Sequence, residues 1–478
     1  MATLVWPISV TVGRMHTTNT PDPGLTTDGQ TNISQWVCEY GPGAQQDLHF
    51  SQWITSNYLS GTPTLDLAWK TDATSGTVIW NAAYRYTANN ADYNSSGGTA
   101  AGTTACPGVA NQIVNTQLAL PTGVAADRVL LYRISHMGAS DSFAGTVQLM
   151  EARITHTVDP TVNKQWVYIP ANAFAIPSAS GAQLLKIEDT NKGVYPYALG
   201  FRDGTVDYAD YHFRVPSNYL ANFKVSPIWA NEAILGTVSY RLDFGTVAVG
   251  GSADPVLTAG AEGTVQWSTA SDISYPALAA PVVTPAASYE LMCRVNRMGT
   301  AAADLFGGTA YLIGMLCEYE SFQKNPGVIF LDAPSGSQPS DAANITKVNG
   351  TNTSRWVVRY APALVQSIDY LQRLPSTYKD SALVRARWTS NAASGTAKFE
   401  LFYGSPAVGA DADPALVSAG TISSPHAGSA LINEFSGTVS TGMGASDLAL
   451  IRVRHIGTAD SFSLDIDLLT VALEANIL

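Results

Sequence analysis

Charge is the scarcest thing in this chain. Only 13% of its 478 residues are Asp, Glu, Lys or Arg, against roughly 25% in ordinary soluble proteins. Ala, Thr, Ser and Gly stand in their place, so the expected surface is neutral and rich in hydroxyls. The net charge of −12 argues against nucleic acid as a partner, because phosphate binding needs clustered Lys and Arg. Long apolar runs are also missing: no stretch of ~18 or more such residues could span a bilayer, so no membrane insertion is expected. The opening, MATLVWPISVTVGRM, has no basic segment ahead of a short apolar one, and no secretory signal is expected.

Cysteine is sparse, with four in all: Cys38, Cys106, Cys293 and Cys317. They form no CxxC pair, have no His cluster beside them and are shared unevenly along the chain. They read as small buried hydrophobes in a reducing compartment, not as a disulfide or metal framework. Catalytic grammar is lacking too. There is no GxxxxGK[ST], HExxH, GxSxG or strand-to-helix GxGxxG. The expectation is no catalytic residue, no cofactor and no metal. Disorder, the other reading of a Gly/Ser/Thr-rich chain, is opposed by ten Trp, 21 Tyr and 46% hydrophobic residues.

What the chain does have is one passage written three times. Tyr58, Trp69, Gly76 and Gly138 recur as Tyr219, Trp229, Gly236 and Gly299, then as Tyr378, Trp388, Gly395 and Gly457. A spacing near 160 residues is one domain per copy, beyond the 20 to 50 residues of solenoid repeats. The expected division is an N-terminal arm over residues 1–30 and three repeats at 31–157, 158–325 and 326–478. Repeats two and three each begin with a linker strand. Those strands, in KQWVYIPANAF and GVIFLDAPSGSQPSDAAN, and the arm each need a surface to cover, either a neighbouring sheet edge or another protein.

Within each copy the patterns are those of strands. In ALVRARW, Val384, Ala386 and Trp388 alternate with Arg385 and Arg387. In LALIRVRHIG, Ile451, Val453 and His455 oppose Leu448, Leu450, Arg452 and Arg454. Turns rich in Gly, Pro, Asn and Asp arrive every 8 to 15 residues and no helical stripe is present. The fold class expected is all-β, three tandem homologous antiparallel β-sandwiches of jelly-roll type. Near the end of each copy a hairpin is expected, pairing Arg454 with Asp465, Arg452 with Asp467 and Arg133 with Gln148. Its turn carries Gly, Asp and Phe in all copies (Gly138, Asp141, Phe143; Gly299, Asp304, Phe306; Gly457, Asp460, Phe462). The Gly supplies an unusual backbone conformation, the Asp caps and the Phe plugs the core.

The sharper readings of these residues are weaker than the structural ones. One carboxylate per turn falls short of the 6 to 8 oxygens of a calcium site. Trp69, Trp229 and Trp388 read as core residues before sugar platforms, and Tyr58, Tyr219 and Tyr378 as strand-entry residues with a bonded hydroxyl. His136 and His455 correspond, with Arg297 between them, and read as sheet-face residues. SADP at Ser252–Pro255, DADP at Asp411–Pro414 and the long segment about Asn89–Asn111 read as loops.

WVYIPANAF, GFRDGTVDYADYHFRVPSNYL and CRVNRMGTAAADLFGGTAYLIGMLCEY together resemble a β-domain of tailed-bacteriophage virion proteins, of the head-decoration, spike or tail-fibre type. The resemblance covers about residues 164–320 and extends to the other copies through the anchors above. The Cys38 and Cys106 region of the first copy departs from it. It implies a sandwich or jelly roll and assembly in a virion, without known chemistry. A non-enzymatic decoration or cement protein on the outer surface of the head is the function expected, assembled in the host cytoplasm. The major capsid protein or other virion proteins would be partners, through the arm, and a homo-oligomer is compatible. Linked weak contacts gain strength through effective concentration. The competing expectation is a receptor-binding fibre or spike holding host glycan, which needs an aromatic pocket with converging polar groups. A glycosidase would need paired carboxylates roughly 5 to 9.5 Å apart.

Overall fold

The computed structural model of the chain describes residues 2–9, 14–15, 22–26, 35–43, 45–93, 97–158, 164–187, 197–232, 234–321, 327–331, 343–374, 378–405, 414–440 and 448–477. The N-terminal arm holds β1 (Ala2–Ser9), β2 (Arg14–Met15) and β3 (Asp22–Thr26), and the first repeat holds β4 (Gln35–Tyr40), β5 (Gln45–Ile54), β6 (Tyr58–Thr71), β7 (Thr77–Thr87), β8 (Ala91–Asp92), β9 (Gly98–Ala105), β10 (Val114–Ala119), β11 (Arg128–Met137) and β12 (Val147–Val158). The second holds β13 (Lys164–Pro170), β14 (Gln183–Lys186), β15 (Tyr197–Phe201), β16 (Val206–Arg214), β17 (Tyr219–Ala230), β18 (Gly236–Val247), β19 (Thr258–Trp267), β20 (Asp272–Ser274), β21 (Glu290–Met298) and β22 (Ala310–Ser321). The third holds β23 (Gly327–Leu331), β24 (Asn344–Asn349), β25 (Ser354–Tyr360), β26 (Val365–Arg373), β27 (Tyr378–Ser390), β28 (Thr396–Gly404), β29 (Val417–Pro425), β30 (Asn433–Ser440), β31 (Leu448–Ile456) and β32 (Ile466–Ile477).

One topology serves all three repeats. Sheets β4-β12-β6-β10, β15-β22-β17-β20 and β25-β32-β27-β30 face β5-β11-β7-β9, β16-β21-β18-β19 and β26-β31-β28-β29. Counting the eight common strands of each repeat in chain order, the sheets run 1-8-3-6 and 2-7-4-5. This is the double Greek key of a jelly roll, all antiparallel. The strand leading each repeat adds to strand eight: β1 to β12, β13 to β22 and β23 to β32. The leading strands therefore extend their own sandwich's sheet by backbone pairing, with the Ala2↔Val158 to Ser9↔Glu151 register in the first.

Period-two alternation sets the interior. Trp69, Trp229 and Trp388 lie at the same place on strand three and are fully buried. Trp69 Nε1 donates to Thr116 Oγ1 at 2.9 Å and Trp388 Nε1 to Ser424 Oγ at 2.9 Å. Each indole removes on the order of 150–250 Å² from water, so these rings anchor three separate cores. Tyr58, Tyr219 and Tyr378 each open strand three, and the Tyr58 hydroxyl donates to the Gly61 carbonyl.

The two repeated glycines act differently from each other. Gly76, Gly236 and Gly395 have φ of +99°, +150° and +142°. A methyl group there would come within 2.7 Å of the Ser142 carbonyl, 2.7 Å of the Leu305 carbonyl and 3.1 Å of the Phe462 ring. The glycine of the later turn was expected to supply a left-handed backbone, but neither Gly299 nor Gly457 has positive φ. It is small for room: a methyl would lie 2.5 Å from the Thr205 carbonyl at Gly299 and 2.6 Å from the Leu364 carbonyl at Gly457.

The expected hairpin is a crossing between sheets. β31 pairs with β26 and β28, whereas β32 belongs to the opposite sheet. Arg452 therefore pairs with Asp369 at 2.6 Å and Arg454 with Glu400, while Asp467 meets Arg359 at 2.7 Å and Asp465 meets Arg359 at 3.7 Å. In the first repeat Arg133 reaches Asp47 at 3.7 Å and Gln148 donates to Glu39 at 2.8 Å. A strand–turn–strand sequence has the same alternation whether its arms pair or arch over a shared core. The segment about Asn89–Asn111 also departs from the loop expected, since it contains β8 and the edge strand β9.

Candidate functional site

The three sandwiches meet one another in sequence and close a ring. From sandwich one, the segment Asn89–Tyr93 lies along β20 of sandwich two: Asn90 N–H donates to Ile273 O at 2.7 Å and Tyr93 N–H to Ser271 O at 2.8 Å. From sandwich two, the matching segment lies along the start of strand six of sandwich three. Gly250 N–H donates to Ile432 O at 2.7 Å, Ile432 N–H to Gly251 O at 2.8 Å and Ala253 N–H to Ala430 O at 2.8 Å. SADP is thus a docking element: the Asp254 carboxylate accepts from Thr353 N–H at 2.8 Å, Thr353 Oγ1 at 2.9 Å and Asn352 N–H at 3.0 Å. Asp411–Asp413 of DADP lies outside the described residues. Sandwich three meets sandwich one where Leu448 and Leu371 pack on Ala68, Ile113 and Met150, with β26 running beside β1, β4 and β12.

The contacts use equivalent positions. Val129, Glu290 and Leu448 each stand seven residues before His136, Arg297 and His455. Val129 and Leu448 pack on the next sandwich beside Ile273 and Ile113, and Glu290 reaches Arg387 of the next sandwich, whose Ile432 occupies the same place just ahead of strand six. One relation repeated three times returns to its start, which is a pseudo-threefold ring built by a single chain.

Chemistry differs around that ring. At the first contact Trp53 meets Tyr275 edge to face, with ring centroids 5.0 Å apart. At the second the same two positions are Arg214 and Glu434, paired at 3.2 Å. That contact continues into a buried cluster. Arg387 Nη1 lies 2.7 Å from Glu290 Oε1 and Arg387 Nε 3.0 Å from Glu434, with His212 Nε2 2.6 Å from Glu290 Oε2. Thr470 Oγ1 donates to Glu290 at 3.1 Å. Burial by itself raises a carboxyl's pKa, but His212, Arg387 and Arg214 outweigh it and hold Glu290 at about 2.

The turn aspartates are sealed within each sandwich. Asp141 accepts Ile79 N–H at 2.7 Å and pairs with His136. Asp304 accepts Ser239 N–H at 3.1 Å and holds Arg297 at 2.9 Å, and Asp460 pairs with His455 at 2.5 Å. Burial carries His136 and His455 below the usual histidine range against the pull of their carboxylates. His136 and His455 are therefore core residues bonded to the turn, not sheet-face residues. The spacing of five between His and Asp was the available signal. Among the described residues no group of three or more His, Cys, Asp or Glu could hold a metal. None of the four cysteines forms a disulfide, and burial pushes the Cys38 thiol up to about 12.

At the first contact a cleft of about 340 Å³ remains between the sandwiches. Its apolar wall includes Trp53, Trp166, Ile228 and Leu316, and its polar groups are Lys164, Lys224, Asp127, Glu318, Ser56 and Ser226. Lys164, Trp166, Leu316 and Glu318 lie in segments the sequence marks as strands, but no sequence pattern gives any of the lining residues a binding role, because the wall comes from both repeats.

No family model matches the chain, and no curated protein does. Among solved structures, the chain is similar to the tandem CBM22 domains of Xyn10C from Paenibacillus barcinonensis, at 11% identity and a TM-score of 0.24, over 64% of this chain and 99% of that one. It is also similar to the triple jelly-roll protein of an archaeal virus turret, at 9% identity and a TM-score of 0.14, over 97% and 90%. These likenesses concern β-sandwich and jelly-roll architecture alone.

Proposed function

We propose that this chain is a non-enzymatic virion structural protein that decorates or cements the outside of a bacteriophage head, held by the major capsid protein or another virion protein. The observation that supports this reading is the ring. One chain presents three copies of a jelly roll about a pseudo-threefold axis, so three related surfaces can engage three neighbouring shell subunits together. Each contact is then strengthened by the two already made. The buried turn aspartates and the arginine-held glutamates of the second contact give these carboxylates structural work. The sparse charge suits a surface that packs against a lattice by shape and hydroxyl contacts.

The test is location and attachment. Imaging of intact particles is expected to place one ring over each pseudo-threefold position of the shell. Particles lacking the chain are expected to rebind it from solution. Density confined to the tail, or failure to rebind bare heads, would overturn the proposal. A chain without residues 1–30 also loses β1, β2 and β3 from the sheets of sandwich one, so attachment through the arm is measured by its rebinding at a melting temperature equal to that of the full chain.

A further inference from the structure

The cleft at the first contact is built for a ligand of particular chemistry. Sandwich one supplies Trp53, Ser56 and Asp127, and sandwich two supplies the remaining wall. Its charged groups are two cations, Lys164 and Lys224, and two anions, Asp127 and Glu318. They carry no net charge. Glu318 is already engaged, with Lys164 Nζ at 3.0 Å from Oε1 and Trp166 Nε1 donating to Oε2 at 3.2 Å. Lys224 lies directly across from Glu318 on the adjacent strand. Among the described residues Lys224 and Asp127 form no ion pair, so one ammonium and one carboxylate are left facing the same space.

A ligand with a net charge needs an excess of the opposite charge, and this cleft has none. A neutral polyol fits instead, because each hydroxyl both donates and accepts. It can donate to Asp127 and accept from Lys224, while the C–H face of its ring lies on the aromatic wall. The volume falls in the range of small-molecule sites, which pair an apolar lining with a few converging polar groups. The corresponding positions of the second contact carry Arg214, Glu434 and Glu474, whose side chains pair with one another and with Arg385.

We propose that the cleft between sandwiches one and two binds a neutral sugar ring. The proposal goes beyond the decoration reading and does not rest on it.

Saturation-transfer NMR and calorimetry on the full chain test it, using glucose, galactose and N-acetylglucosamine, with glucuronate and glucosamine as charged controls. At least one neutral sugar is expected to bind with Kd of the order of 1 mM and to outcompete both charged sugars. Lys224→Met and Asp127→Asn are each expected to weaken that binding about tenfold at unchanged melting temperature. Both positions lie away from the sandwich cores, and Asn tolerates the φ of 54° at residue 127. No binding by any of the three neutral sugars overturns the proposal. Tighter binding of a charged sugar, or neutral-sugar binding that survives both substitutions, does the same.

Discussion

The first and second contacts of the ring share a backbone and differ in almost everything else. In both, a segment following strand four of one sandwich pairs with the region of strand six in the next. Yet Trp53 and Tyr275 at the first correspond to Arg214 and Glu434 at the second. Val129 among aliphatic neighbours corresponds to Glu290 against Arg387. Geometry is therefore set by main-chain pairing, which is indifferent to side chain. Once that is fixed, either an aromatic or an ionic filling satisfies the gap. The ionic filling is the more vulnerable of the two, because losing one partner strands a buried charge.

The largest effect expected follows from that vulnerability. Arg387→Met leaves Glu290 buried beside one cation fewer and is expected to destabilise the chain by about 3–5 kcal/mol. Adding Glu290→Leu to it should recover most of the loss. Denaturant titration of both variants checks the pair, and a double variant no better than the single would show that the ionic contact is not separable from its surroundings.

Acid separates the second contact from the histidines buried within single sandwiches. Burial lowers His156 to about 4, and lowers His136 and His455 as well. A histidine depressed in the fold contributes fully above its unfolded pKa near 6.5, and the contribution is lost as pH falls through the folded value. Between pH 6.5 and 4 His156 alone is expected to remove roughly 3 kcal/mol. Glu290, at about 2, contributes above 4.5 and is lost only between 4.5 and 2. Melting curves of the Glu290→Leu, Arg387→Met protein should keep the first loss and show a smaller second one.

Smaller effects separate the docking segments. Asp254→Ala removes a carboxylate that accepts from Asn352 and Thr353 and should cost about 2 kcal/mol. Tyr275→Phe removes the hydroxyl that donates to Asp127 O at 2.9 Å and should cost about 1 kcal/mol. Hydrogen exchange at Thr353 and Asn90 reports whether each loss stays at its own contact.

The sandwiches were legible in the sequence because burial imposes a strict parity: Val384, Ala386 and Trp388 point inward as the alternation requires. The three Trp positions were legible for the same reason. Pairing partners were not, since Arg454 finds Glu400 and not Asp465 through a sheet crossing that alternation cannot encode. The cleft escaped because Trp53 and Trp166 come from different repeats, and each looks like an ordinary sheet residue by itself. Arg387 and Glu290 likewise carry meaning only after the ring brings β21 and β27 together.

The short strand β8 is donated by sandwich one and completes the sheet of sandwich two. No sandwich-two fragment cut at the repeat boundary would have its full set of strands, and melting of sandwich one would strip its neighbour's edge. Heating should thus unfold the first two jelly rolls in a single calorimetric peak, with the repeat boundary invisible to thermodynamics although plain in the sequence.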